Sequence, residues 1–320
     1  MGNVWVHRPH SQSPTQKSAT SATGDLHASP ARTRATISRF LDGAFPLCAS
    51  GRPKEPPLHA QTSNPPRRRL ARALIVVGLG LIAAVALAAS AQRLALWQVV
   101  RACVANTELT GQAFPCLKVE IGAGVERGWA ALRPPLGNPD TILTPTRQVF
   151  GLEDSWLRGD DAPNYFAAAW AQRGLVKTRD GRPPSAEWVA LSVNSRAVRT
   201  QDQLHIHIGC LKPRWRGLLR AVGAQSPRDT WSHVGALANR PDYRAMRVVG
   251  ADLVGINPFR LAAEAYAHEG VDPADQLILV IPLGERPDAG EFLILTGRSA
   301  ADQLREAPGA EDFIDPACRT

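Results

Sequence analysis

The stretch of this sequence richest in chemistry is Gln201-Asp202-Gln203-Leu204-His205-Ile206-His207-Ile208-Gly209-Cys210. Polar and apolar residues alternate from Gln203 to Ile208, the period of a half-buried β-strand. This predicts Gln203, His205 and His207 on one face and Leu204, Ile206 and Ile208 on the other. Imidazoles two residues apart on a strand lie about 7 Å apart, within reach of one phosphate group or one metal ion. A neutral imidazole can attack phosphorus in line and form a phosphoramidate, splitting one hard displacement into two; His205 suits that part. His207, Gln203, Asn194 and Thr200 offer donors for charge developing on non-bridging oxygens. Arg196 and Arg199 carry guanidinium forks that match phosphate oxygens, although a solvated turn is the plainer reading of both.

A metal site competes with this chemistry. His205-x-His207 would suit zinc or copper, but no His, Cys or Glu stands in a convincing partner motif, and the five cysteines contain no CxxC spacing. No metal or cofactor is therefore expected. His7, His10, His27 and His59 are scattered through a polar tail and read as solvated; His233 and His268 are isolated and read as structural or solvated.

The charge distribution shows what must position these residues. Residues 1–72 hold eleven Lys/Arg against three Asp/Glu, so the whole net charge of +8 sits there, and residues 73–320 are balanced. The folded part lacks the positive balance of a phosphate-backbone binder, which excludes a nucleic-acid partner. The tail, rich in Ser, Thr, Pro, Ala and Arg with no apolar period, is expected to be disordered over 1–72. From Ala73 to Ala91 nineteen residues carry no charge, a run of roughly 28 Å as a helix, about one hydrocarbon core. A cleaved signal peptide ending at Ala88-Ala89-Ser90-Ala91 is the rival reading, and the length favours a retained transmembrane helix over 73–91. Arg67, Arg68, Arg69 and Arg72 precede the run, which places the N-terminus in the cytoplasm and residues 92–320 outside, in a bacterium the periplasm. Cys103, Cys116, Cys210 and Cys318 then lie in an oxidising compartment while Cys48 does not. Four cysteines allow three pairings; Cys103–Cys116, closing a short loop, with Cys210–Cys318 is the favoured one.

Beyond the apolar run, residues 92–105 read as a continuing helix. Leu117–Ile121, Gly128–Leu132 and Thr141–Pro145 read as short strands. A helix opening at Asp160-Asp161-Ala162-Pro163 carries Phe166, Trp170 and the stretch to Val176. Trp188–Val193 is the strand before the histidine strand. Later, Tyr243–Val249 reads as a strand, Asn257–His268 as a helix, and Gln276–Leu283 with Glu291–Thr296 as a hairpin. That order repeats part of the first half without its paired histidines. It predicts an α+β domain duplicated as an intrachain pseudo-dimer, with a catalytic half over about 92–212 and a degenerate half over about 213–320.

The runs Ser192-Val193-Asn194-Ser195-Arg196, Arg199-Thr200-Gln201 and Leu204-His205-Ile206-His207-Ile208-Gly209-Cys210 resemble the CDP-diacylglycerol pyrophosphatase family, membrane-anchored relatives of the histidine-triad hydrolases. The likeness extends to Pro163-Asn164-Tyr165-Phe166 with Ala169-Trp170, to the anchor and to the four outer cysteines, over about residues 73–320. It implies a histidine-triad-like antiparallel sheet and hydrolysis of CDP-diacylglycerol to CMP and phosphatidate. It also implies that the central histidine of the triad, His205, is the nucleophile. The pattern has histidine at three alternate positions, and here the first is Gln203. Glutamine donates and accepts hydrogen bonds but does not titrate near neutrality, so a changed rate or pH dependence is expected, not loss of the covalent step.

Overall fold

The protein is described from a computed structural model, which covers residues 66–133, 141–237, 240–284, 290–298, 309–315 and 318. The tail expected over 1–72 lies, except for residues 66–72, outside the described residues. Helix α1 spans Pro66–Arg93, and within it Leu74–Arg93 is long and apolar enough to cross a membrane. Leu74, Ile75, Val76, Val77, Leu79 and Val85 are all exposed. An apolar surface of that extent is covered by lipid or by another molecule in any stable state. The helix does not run on as expected: it breaks at Leu94, and α2 covers Ala95–Thr110. Gly111 ends α2 in the left-handed region, its N–H bonded to the Thr107 carbonyl.

The body is α+β, built on one large antiparallel sheet. Strands β1 (Lys118–Glu120), β2 (Trp129–Leu132) and β3 (Thr141–Pro145) fall within two residues of the positions expected. Helix α3 (Tyr165–Ala171) starts later than the acidic run at 160 suggested, because Asn164 is the cap: its Oδ1 accepts from the Ala167 N–H at 3.0 Å. The helix also stops at Ala171, five residues short of Val176. Strand β4 (Val189–Val193) precedes β5, which spans Ile206–Leu211. The histidine strand thus begins at Ile206, and Gln203, Leu204 and His205 lead into it from a bend. Every β5 residue is buried, so neither face meets solvent as simple alternation implied.

Helix α4 (Pro213–Gln225) and strand β6 (Ser232–Leu237) had no strong sequence signal. They are followed by β7 (Arg240–Val249), α5 (Pro258–Ala265), β8 (Gln276–Pro282), β9 (Glu291–Arg298), α6 (Ala310–Phe313) and β10 (Ile314–Asp315). The strand order is β1-β2-β3-β5-β4-β8-β9-β7-β6, with β10 paired to β5 through Ile314–Leu211 and Asp315–Cys210. Leaving the edge strand β1 aside, the first half read inward gives β2-β3-β5-β4 and the second β6-β7-β9-β8. The two meet where β4 runs antiparallel to β8, Ser192 opposite Leu279.

The helices repeat this correspondence. Asn257 caps α5 as Asn164 caps α3, its Oδ1 accepting from the Phe259 and Arg260 N–H groups. Each cap reaches into the other half: Asn164 Nδ2 donates to the Leu253 and Ile256 carbonyls, and Asn257 Nδ2 to that of Leu157. Phe166 and Phe259, each two residues past its cap, meet with ring centroids 4.9 Å apart. Together with α3 and α5 they cover one sheet face, where Leu191, Val193, Ile206, Ile208, Ile278 and Val280 are buried. On the opposite face α2 packs on Ala130, Leu132 and Ile142, while α4 contributes Trp215 and Leu219 to a cluster with Ala245, Leu279 and Leu295.

Both expected disulfides are present. Cys103–Cys116 joins α2 to the approach of β1 with Cα atoms 5.7 Å apart, and Cys210–Cys318 ties β5 to the end of the chain at 5.0 Å.

Candidate active site

His207 lies inside β5, opposite Ile142 of β3 and Ser192 of β4. Its pleat position puts it on the sheet face away from Ile206 and Ile208. His205 stands just ahead of the strand, and the two rings approach with centroids 5.0 Å apart at a steep interplanar angle of 63°. The pair predicted from spacing is therefore brought together.

The ring of His205 is held by one contact, Nδ1 to the main-chain carbonyl oxygen of Gln203 at 2.8 Å. A carbonyl only accepts, so Nδ1 carries the proton and Nε2 keeps its lone pair. Burial lowers the His205 pKa to about 3, helped by the neighbouring His207 and by Arg199 and opposed by the Gln203 carbonyl. The imidazole is neutral across the physiological range, as a nucleophile must be.

Gln203 does something other than its position in the motif suggests. Its side chain is fully buried. Its Oε1 accepts from the Val149 N–H at 3.2 Å, and its Nε2 faces Thr144 Oγ1 at 3.2 Å and the Pro145 and Arg147 carbonyls, each at 3.0 Å. The amide thus clamps the end of β3 and the chain leaving it, while its main-chain carbonyl orients His205.

The two arginines expected at a diphosphate are drawn onto carboxylates. Arg199 makes a two-pronged pair with Glu153 at 2.8 and 2.7 Å and reaches Asp202 at 3.3 Å. Burial raises the Glu153 carboxyl, but the Arg199 hydrogen bonds, a main-chain hydrogen bond and the charges of Arg199 and Arg196 together outweigh it and leave the pKa lowered. A Cβ at Gly151 would sit 2.0 Å from Arg199 Nη1 and 2.7 Å from Glu153 Oε2, so a larger residue there has to displace this ion pair. Arg196 pairs with Asp272 at 3.3 Å and Asp275 at 3.0 Å, across the boundary between the halves. Thr200 is exposed beside them. Asn194, Arg199, Gln203 and His205 line one small pocket with Phe150 and Val193. A larger open groove of about 790 Å³ runs beside α2, lined by Trp97, Arg101, Val104, Val125, Arg147 and Gln148.

Ser192 has no role that its sequence neighbours reveal. Its hydroxyl is fully buried beside His207, with no hydrogen-bond partner among the described residues. Alternation along β4 with His207 across the ladder was the available signal. Among the described residues, no group of three or more His, Cys, Asp or Glu is arranged to hold a metal ion.

The chain matches the CDP-diacylglycerol pyrophosphatase family over residues 91–320. It belongs to that family. A member from Yersinia pestis, named CDP-diacylglycerol pyrophosphatase, is 31% identical over 228 residues, which is 70% of this chain and 84% of the relative. The matched region starts at the end of α1 and takes in both histidines, all four paired cysteines and both halves of the sheet. The protein is accordingly an enzyme, a hydrolase of the pyrophosphatase type.

Proposed function

We propose that the enzyme hydrolyses CDP-diacylglycerol to CMP and phosphatidate through a nucleotidyl intermediate on His205. The observation that carries this is the 2.8 Å bond from His205 Nδ1 to the Gln203 carbonyl, which leaves Nε2 as the free nucleophile. In the first step Nε2 attacks the phosphorus that bears the cytidine. The P–N bond forms as the bridging P–O bond breaks, and phosphatidate leaves with the electron pair. In the second step water attacks the same phosphorus, the P–N bond breaks, and CMP leaves. His207, Asn194, Thr200 and the buried hydroxyl of Ser192 supply donors to the oxygens that gain charge. Gln203, Arg199 and Arg196 act by holding the loop that presents His205.

The fold reading extends the same way. The mirrored strand orders and reciprocal asparagine caps support a histidine-triad-like unit duplicated in one chain, the second half lacking the histidine pair: β9, in the place of β5, carries no histidine. The apolar helix and two disulfides support a single-pass bacterial inner-membrane protein. Its N-terminus is cytoplasmic, residues 1–72 form a basic tail, a span covers about 73–91, and a periplasmic catalytic domain covers 92–320.

The experiment is turnover of CDP-diacylglycerol labelled in the nucleotide by the detergent-solubilised full chain, quenched in acid and mapped by peptide. Label is expected on His205, and His205→Ala is expected to remove nearly all turnover while keeping substrate binding. Label elsewhere, or near-normal turnover by that variant, would overturn the mechanism.

A further inference from the structure

The junction between α1 and α2 leaves main-chain groups unsatisfied, as every helix end does. Leu94, the residue at the N-cap of α2, offers no side-chain hydrogen bond. The missing partners come from a residue more than a hundred positions away. Gln201 Oε1 accepts from the Leu96 N–H at 2.9 Å, and Gln201 Nε2 donates to the Gln92 carbonyl at 3.0 Å. One amide thus caps the end of the apolar helix and the start of the next. Beside it Arg93 grips Asp202 with both prongs, Nε to Oδ2 at 2.6 Å and Nη2 to Oδ1 at 2.5 Å. The main chain joins as well, the Asp202 N–H donating to the Arg93 carbonyl at 2.8 Å. Asp202 is held below the usual carboxylate range chiefly by the Arg93 hydrogen bonds.

This clasp sits directly against the nucleophile. Residue 203 follows it, with its side chain fixed to the end of β3 and its carbonyl on His205 Nδ1. Arg199, on the other side, ties Asp202 to Glu153. A loop between two fixed ends has little freedom, so the position of Gln201 and Asp202 sets where the Gln203 carbonyl points.

We infer that the end of the apolar helix is part of the apparatus that positions the nucleophile, with Arg93 and Gln201 as positioning residues for His205, so that the helix is more than a tether. This rests on the reading of His205 as the nucleophile. It explains why a substrate embedded in a membrane is served by a site whose loop is fastened to the helix emerging from that apolar run.

The test uses the full chain in detergent with two mild variants. Arg93→Lys keeps the charge but loses the fork, and Gln201→Ala removes both caps at a half-buried position. Both are expected to fold, with kcat on CDP-diacylglycerol lowered about tenfold to a hundredfold, as for loss of near-attack geometry, and KM changed less than about twofold. The Nδ1–H signal of His205, assigned by its absence in His205→Ala, is expected to shift in nitrogen-resolved NMR of both variants. Parental kcat in both, or a rise in KM alone, overturns the inference. If the parent itself shows no turnover, the proposed reaction fails instead and the His205 signal decides: a shift in the variants upholds the positioning, and an unmoved signal overturns it.

Discussion

Gln203→Glu separates the positioning role of residue 203 from any catalytic one. The carboxylate keeps an acceptor for the Val149 N–H, but it turns a second oxygen toward the Pro145 and Arg147 carbonyls, where Nε2 now lies 3.0 Å from each. The site is fully buried, so burial and facing oxygens both disfavour the charged form, and the folded chain must take up a proton. A glutamate in the unfolded chain titrates near pH 4.3, and each pH unit above that costs about 1.4 kcal/mol until the raised folded pKa is reached. The sign follows from the direction of the shift: with the folded pKa above the unfolded one, the penalty is absent below about pH 4 and grows as pH rises, to roughly 4 kcal/mol at pH 7. One donor remains lost even when the acid is protonated, about 1 kcal/mol. At about 2–4 °C per kcal/mol for a domain of this size, the variant should melt about 10–20 °C below the parent at pH 7 but only a few degrees below it at pH 4. Differential scanning calorimetry of parent and variant at the two pH values measures this. An equal deficit at both would refute the assignment of Gln203 as a buried clamp.

Four further outcomes are expected. His207→Ala should slow turnover by roughly 10²–10³-fold, the loss of one charge-stabilising donor, and a smaller effect in steady-state rates would move that role to Ser192 or Asn194. Because His205 is pushed down to about 3, it stays neutral above that value and is inactivated as pH falls toward it. The pH profile of kcat/KM should therefore carry no inflection near 6.5 from this residue, and an acid limb there that survives in His207→Ala would contradict the assignment. With Cys103–Cys116 and Cys210–Cys318 formed, alkylation of the denatured, unreduced protein should label Cys48 alone, and reduction should cost roughly 2–5 kcal/mol per bridge; free thiol at Cys103 or Cys210 would count against the pairing. A reporter enzyme active only outside the cytoplasm should work when fused after Thr320, and activity of a cytoplasm-only reporter there would reverse the topology.

The sequence by itself was enough for what depends on local pattern. A nineteen-residue uncharged run after four arginines, alternation around two histidines, Asn-Pro at the start of α5 and short strands between Gly and Pro are all written in neighbouring residues. Each carries its own physical reason in period, cap or turn chemistry. The cysteine pairing was legible because few combinations exist. Other features came only from contacts between residues far apart in the chain. The strand order, with β5 between β3 and β4 and the halves meeting at β4 and β8, depends on which buried faces find each other. The acidic run at 160 was a weaker helix start than Asn164, because that asparagine also satisfies carbonyls of the other half. Gln203 reads as a degraded catalytic position in one dimension and as a saturated clamp in three, since its partners lie more than fifty residues earlier. Arg196 likewise shows no carboxylate partner in the local spacing and Arg199 only Asp202, and their pairing with Glu153, Asp272 and Asp275 exists only once the sheet is assembled. Residue types and their period specify which chemistry is available. Hydrogen-bond donors and charges are claimed by whatever the fold brings within about 3 Å, and that competition decides which of the candidates remains free to act.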